Sequence, residues 1–306
     1  MKKTGKRLLA AMLLFCTILI GAAGYEVMAA DEAQSTESTS GTVNSADDLP
    51  GKRIGVQLGT TGDIYVSDYE SDGSGTVVER YNKGADAIQA LKQGKIDCVV
   101  IDEQPAIKFV EQNTGIRILD EEFTLEEYAF VIAKDNTELL DKVNSVLEKL
   151  EADGTIANIQ KNYIGTADEI GKFPYESKDV SHENGTLTVG TNAEFPPYES
   201  YEDGQIVGID MDIMRAVSDE LGMELKIEDM AFDSIIPAIS TGKVDIGAAG
   251  FTVTEERKKN VNFTDTYTTS KQVIIVKDDT VTSEKAGLSE KFYDNFVKDS
   301  RYVYLL

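Results

Sequence analysis

An internal repeat constrains the fold of this chain more than any other feature of its sequence. Residues 90–97 read Ala-Leu-Lys-Gln-Gly-Lys-Ile-Asp, and residues 238–245 read Ala-Ile-Ser-Thr-Gly-Lys-Val-Asp. Each copy has the pattern of a helix end, a glycine that stops the helix and the start of a strand. The apolar runs that follow, Cys98–Ile101 and Ile246–Ala249, are typical of strands buried on both faces. Two copies do not make a repeat array, so the sequence predicts two related α/β lobes.

Charge and the scarcity of reactive side chains exclude several classes of function. The 54 acidic residues outnumber the 30 basic ones, and a formal net charge of -24 excludes nucleic-acid binding through charge. Cys16, Cys98 and the single histidine, His182, lie far apart in the chain, which excludes zinc-finger spacings, disulfide frameworks and Cys/His nucleophile pairs. We therefore expect no metal, no cofactor and no catalytic residue.

Residues 1–30 have the three parts of a secretory signal: a basic start, an apolar run and a small-residue site that predicts cleavage after Ala29 or Ala30. A phenylalanine precedes Cys16, which argues against a lipoprotein. The alternative is an uncleaved anchor, because the apolar run is close to the lower length limit of a spanning helix. The expected location is extracytoplasmic, at the cell surface or in the periplasm.

Composition and periodicity divide the rest of the chain. We name one lobe the glycine-loop lobe, after its Gly59-Thr60-Thr61 segment, and the other the Arg257 lobe. The predicted segments are a flexible leader (31–46), the glycine-loop lobe (47–125), a return strand and helix that pack on the Arg257 lobe (126–165), a linker (166–185), the Arg257 lobe (186–278) and a tail (279–306).

Several of these segments together resemble the polar amino-acid-binding proteins of ABC uptake systems, which belong to the periplasmic-binding-protein family. The residues that carry the resemblance are Gly190–Glu199 (Gly-Thr-Asn-Ala-Glu-Phe-Pro-Pro-Tyr-Glu), Val207–Asp212, Ile236–Asp245, Thr252–Arg257, Val261–Thr264 and Gly55–Thr61. The resemblance spans roughly Asp47–Asp278. It implies a two-lobed α/β fold with a hinge and a cleft between the lobes. It also implies a solute-binding component of an ABC importer that binds a polar L-amino acid and works with a permease.

The order of the segments departs from the family, in which the part resembling the Arg257 lobe comes first. The simplest interpretation is a circular permutation through the linker of residues 166–185, because domain termini usually lie close together at the surface. The alternative is two tandem binding domains, each trimmed to a half. The tail of residues 279–306 resembles the lead-in to a permease subunit, which suggests a truncated fusion; a short docking helix is the other interpretation.

A free amino acid presents a carboxylate and an ammonium group, so its site needs a cation, an anion and oriented donors. Arg257 follows a candidate helix N-cap, Thr254, and its planar fork is able to grip both carboxylate oxygens; the alternative is an ion pair with Glu255. Asp102 follows a buried strand, where open α/β sheets hold ligands, and suits the ammonium group. A loop-capping role is its alternative, and Glu103 is the rival acid.

The resemblance assigns roles to these residues and extends the set. It implies that Arg257 and the Thr252 hydroxyl hold the ligand carboxylate, that Asp102 holds the ammonium group, and that Thr60 and Thr61 complete the carboxylate grip from the opposite lobe. The further pocket residues that it implies are Gly250, Asn192, Phe195, Phe232 and Gln57. Core packing is the alternative for the two phenylalanines, and Asp210 and Asp212 are expected to be structural.

Two other functions remain open at this stage. A dehydratase acting on prephenate-like acids has the same architecture, and it needs a proton donor, for which Glu194 is the candidate. A sensory input domain shares the ligand chemistry. The sequence leaves the amino acid itself open, since Glu194 favours a cation whereas Asn192 and Gln57 suit an amide or a thiol-derived ligand.

Overall fold

The computed structural model of the chain describes residues 42–121 and 124–278. The predicted signal sequence, most of the predicted leader and the tail of residues 279–306 lie outside these ranges. Within them, every helix is too short or too polar to cross a bilayer.

The described residues form fourteen strands and seven α-helices. The strands are β1 (Arg53–Gln57), β2 (Val77–Tyr81), β3 (Cys98–Asp102), β4 (Ile116–Ile118), β5 (Thr124–Tyr128), β6 (Val131–Ala133), β7 (Thr186–Thr191), β8 (Glu194–Phe195), β9 (Glu199–Glu202), β10 (Gln205–Val207), β11 (Glu224–Asp229), β12 (Ile246–Gly247), β13 (Val261–Phe263) and β14 (Thr268–Lys277). The helices are α1 (Thr61–Ser67), α2 (Gly84–Lys92), α3 (Glu103–Gln112), α4 (Thr137–Ala152), α5 (Thr155–Ile164), α6 (Ile209–Leu221) and α7 (Phe232–Ser240). Short 3₁₀ turns cover Ala46–Asp48, Asp68–Glu70 and Arg257–Lys259.

The described strands form one large sheet in each lobe. The first sheet has the order β2-β1-β3-β14-β4, with β5 also paired to β14, and belongs to the glycine-loop lobe. The second has the order β11-β7-β12-β6-β13 and belongs to the Arg257 lobe, which also carries the small sheet β10-β9-β8. In each lobe three adjacent strands are parallel, and antiparallel strands extend the sheet on one side. The predicted two-lobed α/β class is confirmed.

The sheets place two segments differently from the sequence-based division. The strand β14 falls within the predicted Arg257 lobe (186–278), but it pairs antiparallel with β3 in the glycine-loop lobe. The reason is burial: every residue of β3 is buried, and the apolar run of β14 covers its open edge. At the other end, Val43 falls within the predicted leader but is only 2% exposed and packs beside Leu49 in the core.

The core explains why the apolar runs lack a polar face. Along β3, Cys98 and Val100 pack in the cluster on one side of the sheet, whereas Val99 and Ile101 pack in the cluster on the other side. Because successive side chains of a strand point to opposite faces, a strand covered on both sides needs apolar residues at every position. The predicted buried strand is confirmed.

Each copy of the repeat ends a helix in the same way. Gly94 follows α2 with φ +73°, and Gly242 follows α7 with φ +69°. Both amides donate back into the preceding helix, to Leu91 O at 2.9 Å and to Ile239 O at 3.0 Å. Glycine suits this left-handed backbone because it has no Cβ to clash.

The aspartate that closes each copy fastens the next strand to the sheet. The amide of Asp97 donates to Arg53 O at 2.8 Å, and the Asp97 carboxylate accepts from the Arg53 amide at 2.8 Å. Asp245 makes the same pair of hydrogen bonds with Thr188, both at 2.8 Å. The repeat therefore encodes one helix-to-strand junction, used once in each lobe.

Residues 138–163, predicted as one amphipathic helical region, form α4 and α5, which are separated at Gly154. The buried face of α4 consists of Val143, Val146, Leu147 and Leu150. This face packs against α6 of the Arg257 lobe.

The chain passes between the lobes twice. The first passage joins β5 to β6 through Ala129 and Phe130, and the second joins β13 to β14 through residues 264–267. The passages lie side by side: Thr264 and Phe130 exchange two hydrogen bonds of 3.0 Å, and the Phe130 and Tyr267 rings stack at 4.5 Å. This narrow double connection is the only route by which the described chain links the lobes covalently.

We expect Gly242→Ala to lower the free energy of unfolding by about 1 to 2 kcal/mol, because an L-residue is strained in the left-handed conformation. The strain is purely backbone, since an added Cβ would meet no heavy atom within 4 Å. Gly242→Asn is the matched control and should lose less, because asparagine tolerates this conformation. Urea unfolding measures both; equal stability of Gly242→Ala and the wild type would contradict the junction.

Candidate functional site

The facing ends of the two lobes enclose a cavity, and all ten predicted site residues line it together with Glu199 and Ala249. The space between these side chains is about 290 Å³ including its opening to solvent, but only about 10 Å³ of it admits the centre of a water-sized sphere. That is room for about one water. The ten residues are Gln57, Thr60, Thr61, Asp102, Asn192, Phe195, Phe232, Gly250, Thr252 and Arg257.

The ends of parallel strands place three of these side chains. Gln57 ends β1 and Asp102 ends β3 in the glycine-loop lobe, while Asn192 directly follows β7 in the Arg257 lobe. The carboxyl ends of parallel strands meet at one edge of a sheet, and helices begin there. The cavity therefore lies where the carboxyl edges of both sheets face each other.

Arg257 is buried, with 7% of its surface exposed, and lies in a short 3₁₀ turn rather than in a longer helix. The Thr254 hydroxyl accepts from its amide at 3.1 Å, as predicted for a cap. The guanidinium donates to Thr252 O at 2.9 Å and, across the cleft, to Gly59 O at 3.0 Å. It also lies over the ring of Phe232, 5.3 Å from the centroid.

Among the described residues, the Arg257 guanidinium takes part in no ion pair. Glu255, the alternative partner, pairs instead with Lys258 at 2.8 Å. Burial lowers the pKa of Arg257, and the negative charges of Glu126 and Asp102 oppose that shift. A buried cation held mainly by carbonyl oxygens is a site for an anion.

Asp102 is 4% exposed and accepts a hydrogen bond from the Tyr128 hydroxyl. It occupies the N-cap position of α3, but its side chain makes no capping hydrogen bond, which removes the loop-capping alternative. The rival Glu103 pairs with Lys271 at 3.0 Å and does not line the cavity. Burial, together with the charge of Glu126, raises the pKa of Asp102 to about 7.

The glycine loop approaches the opposite lobe closely. Gly59 has φ +78°, and an added Cβ would lie 3.3 Å from the Cβ of Asp233. The Thr60 hydroxyl donates to Gln57 O at 2.8 Å and caps α1 by accepting from the Asp63 amide. Thr61 is buried, and its hydroxyl accepts from the side-chain Nε2 of Gln272 at 3.2 Å. Both threonines thus lie at the cavity with much of their hydrogen bonding directed into their own lobe.

The Thr252 hydroxyl has a partner that the sequence does not reveal. It donates to Glu126 Oε2 at 2.7 Å, and Glu126 is only 3% exposed. The proton of that hydroxyl is therefore directed at Glu126 rather than into the cavity, and the resemblance-based role of Thr252 as a carboxylate donor stays a prediction.

Two amide side chains join the lobes directly. Gln57 Nε2 donates to Asn192 Oδ1 at 2.8 Å, and Asn192 Nδ2 donates to Met230 O at 2.9 Å. Gln57 Oε1 has no hydrogen-bond partner among the described residues. This bridge, with the contact between Arg257 and Gly59, holds the cleft closed in the structure.

Two phenylalanines of the Arg257 lobe form part of the cavity wall. Phe195 stacks on Tyr198 at 5.8 Å, and Phe232 stacks on Phe251 at 4.7 Å. Each ring packs on its own lobe and also lines the cavity. Core packing and a place in the cavity wall therefore coexist for both.

Sequence reasoning missed two residues of the cavity lining, Ala249 and Glu199, of which only Glu199 is ionisable. It begins β9, is fully buried, and neither of its carboxylate oxygens has a hydrogen-bond partner among the described residues. Burial raises the pKa of Glu199 well above its usual range, and the negative charges of Asp210 and Asp102 add to the shift. Its place at the end of the Gly190–Glu199 motif was the one available signal.

Three other acidic residues near the cavity have partners within the protein. Asp210 is fully buried and accepts from the Tyr267 hydroxyl at 2.6 Å and from the Gly250 amide at 2.9 Å. Asp212 accepts from Tyr163 and pairs with Arg215 at 2.7 Å. Both fit the structural role expected of them. Glu194 pairs with Lys83 of the opposite lobe and lies outside the cavity lining.

The profile of the bacterial extracellular solute-binding proteins, family 3, matches residues 74–166 and 187–299. The arginine-binding protein ArgT of Corynebacterium glutamicum is 44% identical over 84 residues, 27% of this chain and 28% of that protein. The L-cystine-binding protein TcyJ of Escherichia coli K12 is 30% identical over 135 residues, 44% of this chain and 50% of that protein. The chain thus spans at most half the length of these curated relatives.

Among solved structures, the arginine-bound form of domain 1 from TmArgBP is 42% identical. The match covers 32% of this chain and 84% of that one, with a TM-score of 0.28.

We expect the buried Asp210 to make stability fall as pH rises from about 4 to 7. Burial raises the pKa of Asp210 to about 7, so the folded state keeps a proton that the unfolded state has released. The loss is at most about 1.4 kcal/mol per pH unit and ends above pH 7. Asp210→Asn should remove this contribution, so the unfolding free energies of variant and wild type should diverge between pH 4.5 and 7; parallel curves would contradict it.

Proposed function

This chain belongs to the bacterial extracellular solute-binding proteins of family 3, and on that premise we propose that it binds a polar L-amino acid between its two lobes. The relatives named for arginine and L-cystine support this ligand class. The family description supports an extracytoplasmic location, with an ABC permease as partner. The predicted signal sequence agrees with it but lies outside the described residues.

One observation carries the proposal: a single cavity unites Arg257 of one lobe with Asp102 of the other. The guanidinium offers a planar donor fork to the ligand carboxylate. The Asp102 carboxylate offers an acceptor to the ammonium group, and a nearby cation also favours its charged form. The zwitterion then supplies the counter-charge that each buried group lacks.

Ligand binding requires movement of the lobes, because the closed cavity has room for about one water. The passages at residues 129–130 and 264–267 are the natural hinge, since they are the two covalent connections between the lobes within the described chain. A ligand that touches both lobes favours the closed form and shifts the population toward it. No bond is made or broken in this cycle.

The structure does not support the proton donor that the sequence suggested for the dehydratase alternative. Glu194 is held by Lys83 outside the cavity lining, so it is not placed to protonate a leaving group inside the cavity. Family membership also favours solute binding over that reaction. A sensory input domain would use the same ligand chemistry.

We also infer a circular permutation of the family order. Its support is that a single chain completes both sheets, with β14 returning to the glycine-loop lobe after the whole Arg257 lobe. The inferred permease fusion rests on the resemblance of residues 279–306 alone.

Arg257→Ala should abolish measurable binding of the preferred amino acid in titration calorimetry. Removing one partner of a buried charge pair costs about 2 to 5 kcal/mol, which is a loss of affinity of about 30-fold or more. Arg53→Ala is the control, because Arg53 pairs with Glu79 on the surface at 2.6 Å and should leave affinity unchanged. Undiminished affinity of Arg257→Ala would remove the proposed clamp.

The permuted fold predicts a compact monomer. Light scattering should give the mass of one chain, and small-angle scattering a radius that fits two closed lobes. An intertwined dimer would favour the trimmed tandem domains instead.

A further inference from the structure

The strand that leads into the first passage between the lobes is hydrogen bonded to a site segment of the opposite lobe. This strand, β5, directly precedes the passage at residues 129–130. Its Tyr128 forms an antiparallel bridge with Thr252, and the Val253 amide donates to Glu127 O at 3.0 Å. Side chains of β5 therefore reach the Arg257 lobe although the strand belongs to the glycine-loop lobe.

Glu126 on β5 is connected to both threonine hydroxyls that are predicted to hold the ligand carboxylate. It is 3% exposed and is not one of the residues that line the cavity. Its Oε2 accepts from the Thr252 hydroxyl at 2.7 Å and from Gln272 Nε2 at 3.3 Å. Gln272 Nε2 also donates to the Thr61 hydroxyl at 3.2 Å. Glu126 thus contacts one threonine directly and is joined to the other through Gln272.

The third predicted partner of the ligand carboxylate, Arg257, is also influenced by Glu126. Burial lowers the pKa of Arg257, and the negative charge of Glu126 opposes that shift more than the charge of Asp102 does. Thr252 connects the two groups, because its carbonyl oxygen accepts from the guanidinium at 2.9 Å while its hydroxyl donates to Glu126. One buried carboxylate of the protein therefore acts on the same groups as the expected carboxylate of the ligand.

We propose that Glu126 is a built-in competitor of the ligand carboxylate and lowers the affinity of the site from behind its lining. The inference rests on the proposed amino-acid site and concerns the regulation of its affinity. Both carboxylates need the Thr252 hydroxyl proton and the positive charge of Arg257. Two carboxylates near one buried cation also repel each other, because the protein interior screens their charges weakly. The ligand carboxylate therefore binds less tightly than it would beside a neutral residue.

The test is titration calorimetry with the tightest-binding of L-arginine, L-histidine and L-glutamine, and with the α-carboxamide of that amino acid. Glu126→Gln keeps the size of the side chain and an acceptor oxygen but removes the charge. Its affinity for the amino acid should rise at least about tenfold, because a like charge near a buried ionic contact is removed. Its affinity for the carboxamide should stay unchanged, since that compound brings no carboxylate.

Glu127→Gln is the matched control, because Glu127 is the next residue of the same strand and is exposed. It should bind both compounds as the wild type does. Glu126→Ala removes the same charge in a second way and should also gain affinity for the amino acid, so it decides the question if Glu126→Gln folds poorly.

A double-mutant cycle tests the competition for the hydroxyl. Thr252→Val should cost little affinity in the wild type, because the hydroxyl donates to Glu126. In the Glu126→Gln background the same change should cost about tenfold, because the hydroxyl is then available to the ligand carboxylate. Equal costs in the two backgrounds overturn the inference.

Unchanged or weaker amino-acid binding by both Glu126 variants also overturns the inference, as does an equal gain for the carboxamide. Damage to the fold would lower affinity, so a gain that is confined to the carboxylate ligand is the result that a purely structural role does not produce. Failure of the wild type to bind any of the three amino acids instead removes the proposed function itself, and this inference with it.

Discussion

The burial of the Arg257 guanidinium is the constraint on which the site depends. A cation removed from water needs compensation, and here backbone carbonyls of both lobes supply it, together with the face of Phe232. The carboxyl groups of Asp102 and Glu126 add negative potential from the opposite lobe. Because these compensating groups belong to different lobes, the stabilisation of the Arg257 charge is coupled to the closure of the cleft.

The closed cleft also depends on contacts that need no ligand. Gln57 bridges to Asn192, and Lys83 pairs with Glu194 at the rim. Such contacts stabilise closure in the absence of solute, so they set how much additional free energy a ligand must supply. The polar residues around the cavity therefore tune the equilibrium between open and closed forms as well as recognition.

Much of this arrangement follows from local sequence. The Gly-Lys-apolar-Asp repeat predicts two lobes because its glycine ends the preceding helix locally, by donating to a residue of that helix. Its aspartate bonds a neighbouring strand that lies 44 residues away in one copy and 57 in the other, so that contact shows only in the structure. The ten residues that the sequence analysis assigned to the site all line one cavity. Glu199 and the Thr252 hydroxyl escaped prediction because their states depend on distant groups: Asp210 and Asp102 for the first, Glu126 for the second. The pairing of β14 with β3 is non-local in the same way.

The path of the chain has a mechanical consequence. The first described strand, β1, and the last, β14, both belong to the glycine-loop lobe, so residues 131–267 form one continuous insertion between β5 and β14. Tension applied to the ends of the described chain runs through the sheet of the glycine-loop lobe and bypasses the inserted lobe. The Arg257 lobe is therefore free to rotate on its two connections without carrying that tension.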